Sequence, residues 1–163
     1  MPNKAVAKKA TPAKAETKKT VARISSPAEL QELRKGILSK RDRNKPCIAV
    51  CGGTGCHALG NREIISAFEA EIKKQALGAK IDITETGCPG FCEKGPIVVI
   101  SPEEICYIQV MPEDAPEIIS QTVIGKKVID RLVYTDPNTG EKAVHESEIP
   151  FYKNQMRLVI GNN

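Results

Sequence analysis

The sequence predicts an α/β fold in which helices flank a four-stranded mixed sheet. Short apolar runs that end at glycine or proline alternate with segments whose apolar residues recur at helical spacing. Aromatic residues make up only 4% of the 163 residues and tryptophan is absent, so isoleucine, valine, leucine and alanine must build the core. This length accommodates one domain with a modest core and a tail.

Two segments precede the predicted sheet. Residues 1–25 are mainly alanine, lysine, threonine and proline, which cannot bury enough apolar surface to offset the entropy of ordering, so we expect a disordered basic tail. Residues 26–45 are predicted to form a short lead-in helix. Ser26 and Glu29 have the spacing of a capping box, and Pro27 occupies the first helical position.

The net charge of +4 is concentrated in the tail. Residues 1–23 hold seven basic residues and one acidic residue, a net +6, which leaves −2 on the other 140 residues. A nucleic-acid-binding domain needs a basic surface, so this distribution argues against a nucleic-acid partner. The sequence also lacks a run of about 18 apolar residues and a secretory signal, so we expect a cytoplasmic protein without direct membrane insertion.

Residues 46–135 are predicted to form the main domain. Residues 46–50 are an apolar run typical of a buried strand, and residues 80–86 alternate apolar and polar side chains as a second strand does. Between them, a helix capped by Asn61 and closed by Gly78 carries one apolar face. That face consists of Ile64, Ile65, Phe68 and Ile72. A crossover of this length joins parallel strands and is right-handed.

A hairpin and another helix complete this domain. Residues 96–101 and 105–110 are apolar runs separated by three residues that include a proline, and residues 112–125 show helical spacing that ends at a glycine. The resulting β-α-β-β-β-α order is the thioredoxin-like arrangement. Residues 136–163 begin with a turn-like stretch and are assigned to a linker or junction.

Four of the six cysteines lie in two loops that contain glycine. The first cysteine loop is CGGTGC (residues 51–56), and the second cysteine loop is CPGFC (residues 88–92). Glycine lets such loops wrap closely around a compact group and turn backbone N–H groups toward it. Their spacing differs from the two-residue spacing of zinc knuckles and is typical of loops around an iron-sulfur cluster.

The strand order predicts that the two cysteine loops meet. In a strand-helix-strand unit with parallel strands, both strands end at the same edge of the sheet, and each loop follows one of these strands. A 2Fe-2S cluster takes four thiolates, one pair for each iron, which two loops with two cysteines each supply. The candidate ligands are Cys51, Cys56, Cys88 and Cys92.

The remaining cysteines and histidines are not candidate ligands. Cys47 and Cys106 lie within predicted strands and are interpreted as small buried hydrophobic residues. His57 is interpreted as a loop residue beside the site, and His145 lies in a distant charged stretch. Two alternative functions stay open at this point. One is a zinc-stabilised interaction module without a redox role, and the other is a metal-free thiol oxidoreductase, although the Cys-x-x-Cys redox motif is absent.

The sequence resembles the thioredoxin-like 2Fe-2S ferredoxin family. The resemblance is carried by CGGTGC (residues 51–56), ETGCPGFC (residues 85–92) and GPIVV (residues 95–99). Residues 32–45 and 149–163 look more particularly like the N-terminal region of the flavoprotein subunits of NADH dehydrogenase, NAD-linked hydrogenases and formate dehydrogenases. In those subunits a domain of this kind precedes a domain that binds flavin and NADH.

The resemblance implies a one-electron carrier within an NADH dehydrogenase-type oxidoreductase. It makes the same four cysteines the cluster ligands and implies no catalytic residue in this chain. The implied partners are a flavoprotein domain or subunit that binds FMN and NADH, and other iron-sulfur subunits. Because no segment here is suited to binding flavin or nicotinamide, we expect the chain to be a fragment that ends before the flavin domain.

Overall fold

The structure is a computed structural model that describes residues 23–40, 42 and 44–156. It divides into two units, residues 1–41 and 42–163. In the first unit, helix α1 (Pro27–Lys40) begins at the predicted capping residues. The Glu29 N–H donates to Ser26 Oγ at 3.2 Å, and the Glu29 carboxylate accepts a hydrogen bond from the Ser25 N–H at 2.8 Å. Most of the predicted tail lies outside the described residues.

The second unit contains the predicted four-stranded mixed sheet. Its strands are β1 (Cys47–Cys51), β2 (Asp82–Thr86), β3 (Val98–Ser101) and β4 (Ile105–Tyr107). They lie in the order β2-β1-β3-β4, with β1 and β2 parallel and the other two pairs antiparallel. The β-α-β-β-β-α order is confirmed, and because the last residue of β1 pairs with the last residue of β2, the two strands end at the same edge.

Helix α3 (Asn61–Lys74) connects β1 to β2 and packs against one face of the sheet. Side chains alternate between the two faces of a strand, so every second residue of β1 and β3 joins this core. The main contributors are Ile48, Val50, Val98 and Ile100 of the sheet and Ile64, Phe68 and Ile72 of the helix. The predicted apolar face of the helix is therefore the buried one.

The start of helix α3 differs from the prediction. The cap position is occupied by Gly60, whose φ of 87° lies in the left-handed region, and Asn61 is the first helical residue. The Asn61 side chain is fully buried and hydrogen-bonds to the backbone of β1 instead of capping the helix. A second short helix, α2 (Thr54–Ala58), lies within and just after the first cysteine loop.

The end of helix α3 also differs from the prediction, which placed it at Gly78. The helix ends at Lys74, four residues earlier, because Ala76 takes the left-handed conformation with a φ of 55°. The Leu77 N–H then donates to the Ile72 carbonyl at 2.9 Å, the pattern of a Schellman motif. An alanine thus provides the turn that the sequence pattern assigned to a glycine.

Residues 112–125 form a composite helix. A 3-10 turn (Pro112–Asp114) leads into a short helix α4 (Ala115–Glu117), which continues as a π-helix (Ile118–Ile124). The Gly125 N–H donates to the carbonyl of Ser120, five residues earlier. A Cβ at Gly125 would lie 2.7 Å from the Gln121 carbonyl oxygen, so glycine is required at this end. Helical spacing alone does not distinguish such a wide turn from an ordinary one.

From residue 134 onward the chain packs on the second face of the sheet, through Tyr134, Ala143, Ile149 and Tyr152. Strands β5 (Tyr134–Thr135) and β6 (Lys142–Ala143) pair across the predicted turn, and helix α5 (Pro150–Lys153) follows. We call residues 134–153 the C-terminal strap. The domain boundaries at residues 25, 45 and 135 stay predictions. None of the helices in the described part of the chain is both long and apolar enough to cross a membrane.

Candidate functional site

The two cysteine loops lie where β1 and β2 end. Cys51 is the last residue of β1 and Cys56 lies in helix α2, while Cys88 follows β2 by two residues. Cys92 is the first residue of a 3-10 turn (Cys92–Lys94). The structure therefore brings together all four cysteines that the sequence analysis selected.

The four sulfur atoms are close neighbours. The Sγ atoms of Cys88 and Cys92 are 3.4 Å apart, and the Cys56 side chain lies close enough to Cys51 to raise the pKa of the Cys51 thiol. Between the loops, Cys51 interacts electrostatically with Cys88, and Cys92 does so with Cys56. Among the described residues, no three His, Cys, Asp or Glu side chains surround a position for a single metal ion. The thiols are arranged as two neighbouring pairs.

The burial and closeness of these thiols disfavour their deprotonated form when no positive charge is nearby. Burial raises the pKa of the Cys51 thiol to about 12, Cys56 and Cys88 raise it as well, and a hydrogen bond from the Gly53 backbone opposes the rise. The pKa of Cys92 is raised chiefly by its hydrogen bond and charge interaction with Cys88. A metal centre that deprotonates the thiols would reverse this balance.

The two pairs differ in exposure. Cys51 and Cys56 are 3% and 0% exposed, whereas Cys88 and Cys92 are exposed. The Gly90 N–H points toward Cys88 Sγ at 3.4 Å, which is possible because Gly90 has a left-handed φ of 95°. The second cysteine loop therefore forms the solvent side of the site.

Glycines leave space around the sulfur atoms. A Cβ at Gly53 would lie 2.8 Å from Cys88 Cβ and 3.0 Å from its Sγ, and one at Gly95 would lie 2.9 Å from Cys56 Sγ. Real Cβ atoms do not approach other atoms so closely. Four thiols in two pairs, in a cradle that a single Cβ would fill, fit a 2Fe-2S cluster.

A polar network supports the first cysteine loop. Asn61 Nδ2 donates to the Cys51 carbonyl at 3.2 Å and to Glu85 Oε1 at 3.1 Å, and His57 Nε2 lies 3.2 Å from the same oxygen. The sequence analysis missed Asn61 and Glu85 as site residues. Asparagine is a common helix-capping residue, and Glu85 lies on a strand with mostly polar side chains. Neither residue therefore shows a local pattern that indicates a place in the site.

An aromatic cluster supports the second cysteine loop. Phe91 stacks on Phe151 of the C-terminal strap, with ring centroids 4.5 Å apart and planes at 10°, and meets Tyr152 edge-on at 5.7 Å. The Phe151 ring would also lie 3.7 Å from a Cβ at Gly90. The strap therefore contacts the loop that carries Cys88 and Cys92.

The other two cysteines lie outside the two cysteine loops. Cys106 is fully buried, and burial, followed by the charge of Glu146, raises its pKa to about 12. The prediction of a buried residue is confirmed for Cys106. Cys47 is the first residue of β1 and is only partly buried, because it stands at the opposite end of the strand from Cys51.

Comparison with known proteins identifies the family of this chain. The family model of the thioredoxin-like [2Fe-2S] ferredoxins matches residues 37–123, a range that contains both cysteine loops. The chain belongs to this family. Its members bind a 2Fe-2S cluster, so this ferredoxin binds one and serves as an electron carrier.

Relatives of this ferredoxin are known in sequence and structure. The 2Fe-2S ferredoxin of Clostridium pasteurianum is 34% identical over 77 residues, which cover 47% of this chain and 76% of that protein. The 2Fe-2S ferredoxin of Aquifex aeolicus is 39% identical over 79 residues, covering 48% and 71%. A solved structure of a thioredoxin-like [2Fe-2S] ferredoxin from Aquifex aeolicus matches with a TM-score of 0.50 and 33% identity, covering 58% of this chain and 94% of that one.

The structural match confirms the thioredoxin-like fold that the element order predicts. Two further structures of the Aquifex aeolicus ferredoxin are serine variants of cysteines that lie four positions apart in that protein. Cys88 and Cys92 have the same spacing in this ferredoxin.

Proposed function

We propose that Cys51, Cys56, Cys88 and Cys92 are the ligands of the 2Fe-2S cluster. The observation that carries this proposal is the meeting of the two cysteine loops at one sheet edge, with the sulfur atoms of Cys88 and Cys92 in contact and with Cys51 influenced by both Cys56 and Cys88. The bound cluster would supply the one-electron chemistry. The chain contributes the thiolates, the glycine cradle and the backbone N–H groups near sulfur, which stabilise negative charge on the ligands.

A pair of alanine variants tests the ligand set. We expect Cys88→Ala to lose the visible absorption of the cluster, because one iron would lack a thiolate on the exposed side. Cys106→Ala is the matched control, since Cys106 is a buried cysteine outside the site. The measurement is the absorption spectrum and the iron content of protein purified without oxygen. A normal cluster in the Cys88 variant would refute the ligand assignment.

We further propose that the cluster exchanges electrons with a flavin in an NAD(H)-linked oxidoreductase of the NADH dehydrogenase type. The resemblance of residues 32–45 and 149–163 to flavoprotein subunits supports this partner. The FMN and NADH would bind to an adjoining domain or partner subunit, and further iron-sulfur subunits would accept the electrons. We also propose a cytoplasmic location, because a reducing compartment keeps thiols available as cluster ligands.

The partner is tested by reduction of the purified chain. NADH alone should leave the cluster oxidised, whereas NADH with a purified NADH-oxidising flavoprotein of this class should reduce it, as seen by bleaching of the visible absorption. Dithionite serves as the control that the cluster is reducible. A cluster that dithionite reduces but NADH and the flavoprotein leave oxidised would argue against this partner.

A further inference from the structure

Glu85 stands on β2, three residues before Cys88, yet its carboxylate contacts the first cysteine loop. A Cβ at Gly52 would lie 2.6 Å from both Cγ and Oε1 of Glu85, so the side chain lies directly against the backbone of that loop. The same Oε1 receives the Asn61 amide at 3.1 Å and lies 3.2 Å from His57 Nε2. One carboxylate thus contacts three parts of the chain around Cys51 and Cys56.

Asn61 connects this carboxylate to a cysteine. Its Nδ2 group donates both to Glu85 and to the Cys51 carbonyl, while its side chain is fully excluded from solvent. The Asn61 Oδ1 atom has no hydrogen-bond partner among the described residues. A buried acceptor without a partner is destabilising, because it has lost its hydrogen bonds to water. The fold therefore leaves Asn61 Oδ1 without a partner in the described part of the chain while Asn61 Nδ2 is held between Cys51 and Glu85.

Geometry alone does not require a charged residue here. A neutral amide oxygen at the Glu85 position could accept the same hydrogen bond from Asn61. The carboxylate adds a negative charge beside the loop that carries two cysteines, and its side chain is 47% exposed. Reduction adds one electron to the thiolate-bound site, so a nearby negative charge disfavours the reduced state.

We propose that Glu85 has two effects on the site: it positions the first cysteine loop through Asn61, and it lowers the reduction potential of the cluster through its charge. This inference rests on the ligand assignment proposed above. Glu85 is a positioning residue in the first effect, because it acts on Cys51 through another side chain. The second effect is electrostatic and needs no contact with sulfur.

Two substitutions separate these effects. Glu85→Gln keeps an oxygen acceptor for Asn61 and removes the charge, so we expect an unchanged visible spectrum and a more positive midpoint potential. Glu85→Ala removes the acceptor as well, so we expect faster release of iron to a chelator and faster amide hydrogen exchange in residues 52–56. Asn61→Ala should accelerate both processes while the carboxylate is retained.

The matched control is Glu69→Gln, which removes an exposed carboxylate on helix α3. Far-UV circular dichroism verifies that each variant is folded. A Glu85→Gln potential equal to that of Glu69→Gln would overturn the electrostatic effect. Iron release and amide exchange at wild-type rates in both Glu85→Ala and Asn61→Ala would overturn the positioning effect. Failure of the ligand assignment would instead appear as a retained cluster in Cys88→Ala.

Discussion

Gly53 occupies the narrowest place between the two cysteine loops. Its missing side chain leaves room for Cys88, whose Cβ would lie 2.8 Å from an added methyl group. We expect Gly53→Ala to push the loops apart, at a cost of about 1–3 kcal/mol in the free energy of unfolding, and to lose most of the bound iron. Iron content and visible absorbance per chain measure the effect.

Gly78→Ala is the control for that substitution, because nothing lies within 4 Å of a Cβ at Gly78. It should retain the wild-type iron content. Equal iron content in the two alanine variants would show that the space at Gly53 is not needed for the cluster.

The buried thiol of Cys106 gives a prediction for pH dependence. Burial raises its pKa from about 9 to about 12, so at pH 8 the thiolate, which is the reactive form, is about a thousandfold less populated than in an ordinary thiol. We expect iodoacetamide to modify Cys106 slowly in the folded protein and to react faster as the pH rises. Peptide mapping by mass spectrometry measures the rate, with the urea-unfolded protein as reference. Equal rates in the folded and unfolded protein would contradict the prediction.

At the scale of elements, the C-terminal strap packs against the second cysteine loop. It lies beyond residue 123, where the family match ends, yet it packs on the sheet and on Phe91. Four aromatic residues form one connected group: Phe91, Tyr134, Phe151 and Tyr152. The strap therefore belongs to the structural support of the cluster site.

Phe151→Ala tests the contribution of the strap. The ring is 37% exposed, so its loss should cost less than a fully buried ring, about 1–2 kcal/mol in the free energy of unfolding. Urea-induced unfolding followed by circular dichroism measures this value. Met156→Ala, at a residue that is 86% exposed, should leave stability unchanged. If both variants were as stable as the wild type, the stacking on Phe91 would contribute nothing measurable.

At the scale of the whole molecule, the excess of positive charge lies in the N-terminal tail, whereas the family match that implies cluster binding lies in the rest of the chain. Residues 1–22 contain six lysines and one glutamate, so their deletion changes the net charge from +4 to −1. The family match begins at residue 37 and is not affected by this deletion. We expect the shortened protein to keep its visible spectrum and to bind an anion exchanger at neutral pH, where the full chain binds a cation exchanger. Loss of the cluster on deletion would assign the tail a role in the site.

Much of the architecture was predictable because it depends on local patterns and on general rules of chain topology. Apolar spacing identifies the strands and helices, and a parallel strand-helix-strand unit places both cysteine loops at one edge whatever the details of packing. The sequence by itself therefore determined the strand order of the sheet and the meeting of the two cysteine loops. It also determined that Cys106 is a buried strand residue and not a candidate ligand.

Only the tertiary structure decided which residues surround that site. Asn61 and Glu85 are 24 positions apart, and Phe91 and Phe151 are 60 apart, so their contacts depend on how the elements pack. The same packing places Cys51 and Cys56 inside the protein and leaves Cys88 and Cys92 at its surface. Local periodicity identifies the face of an element, whereas the partner of that face is set by the packing of the whole fold.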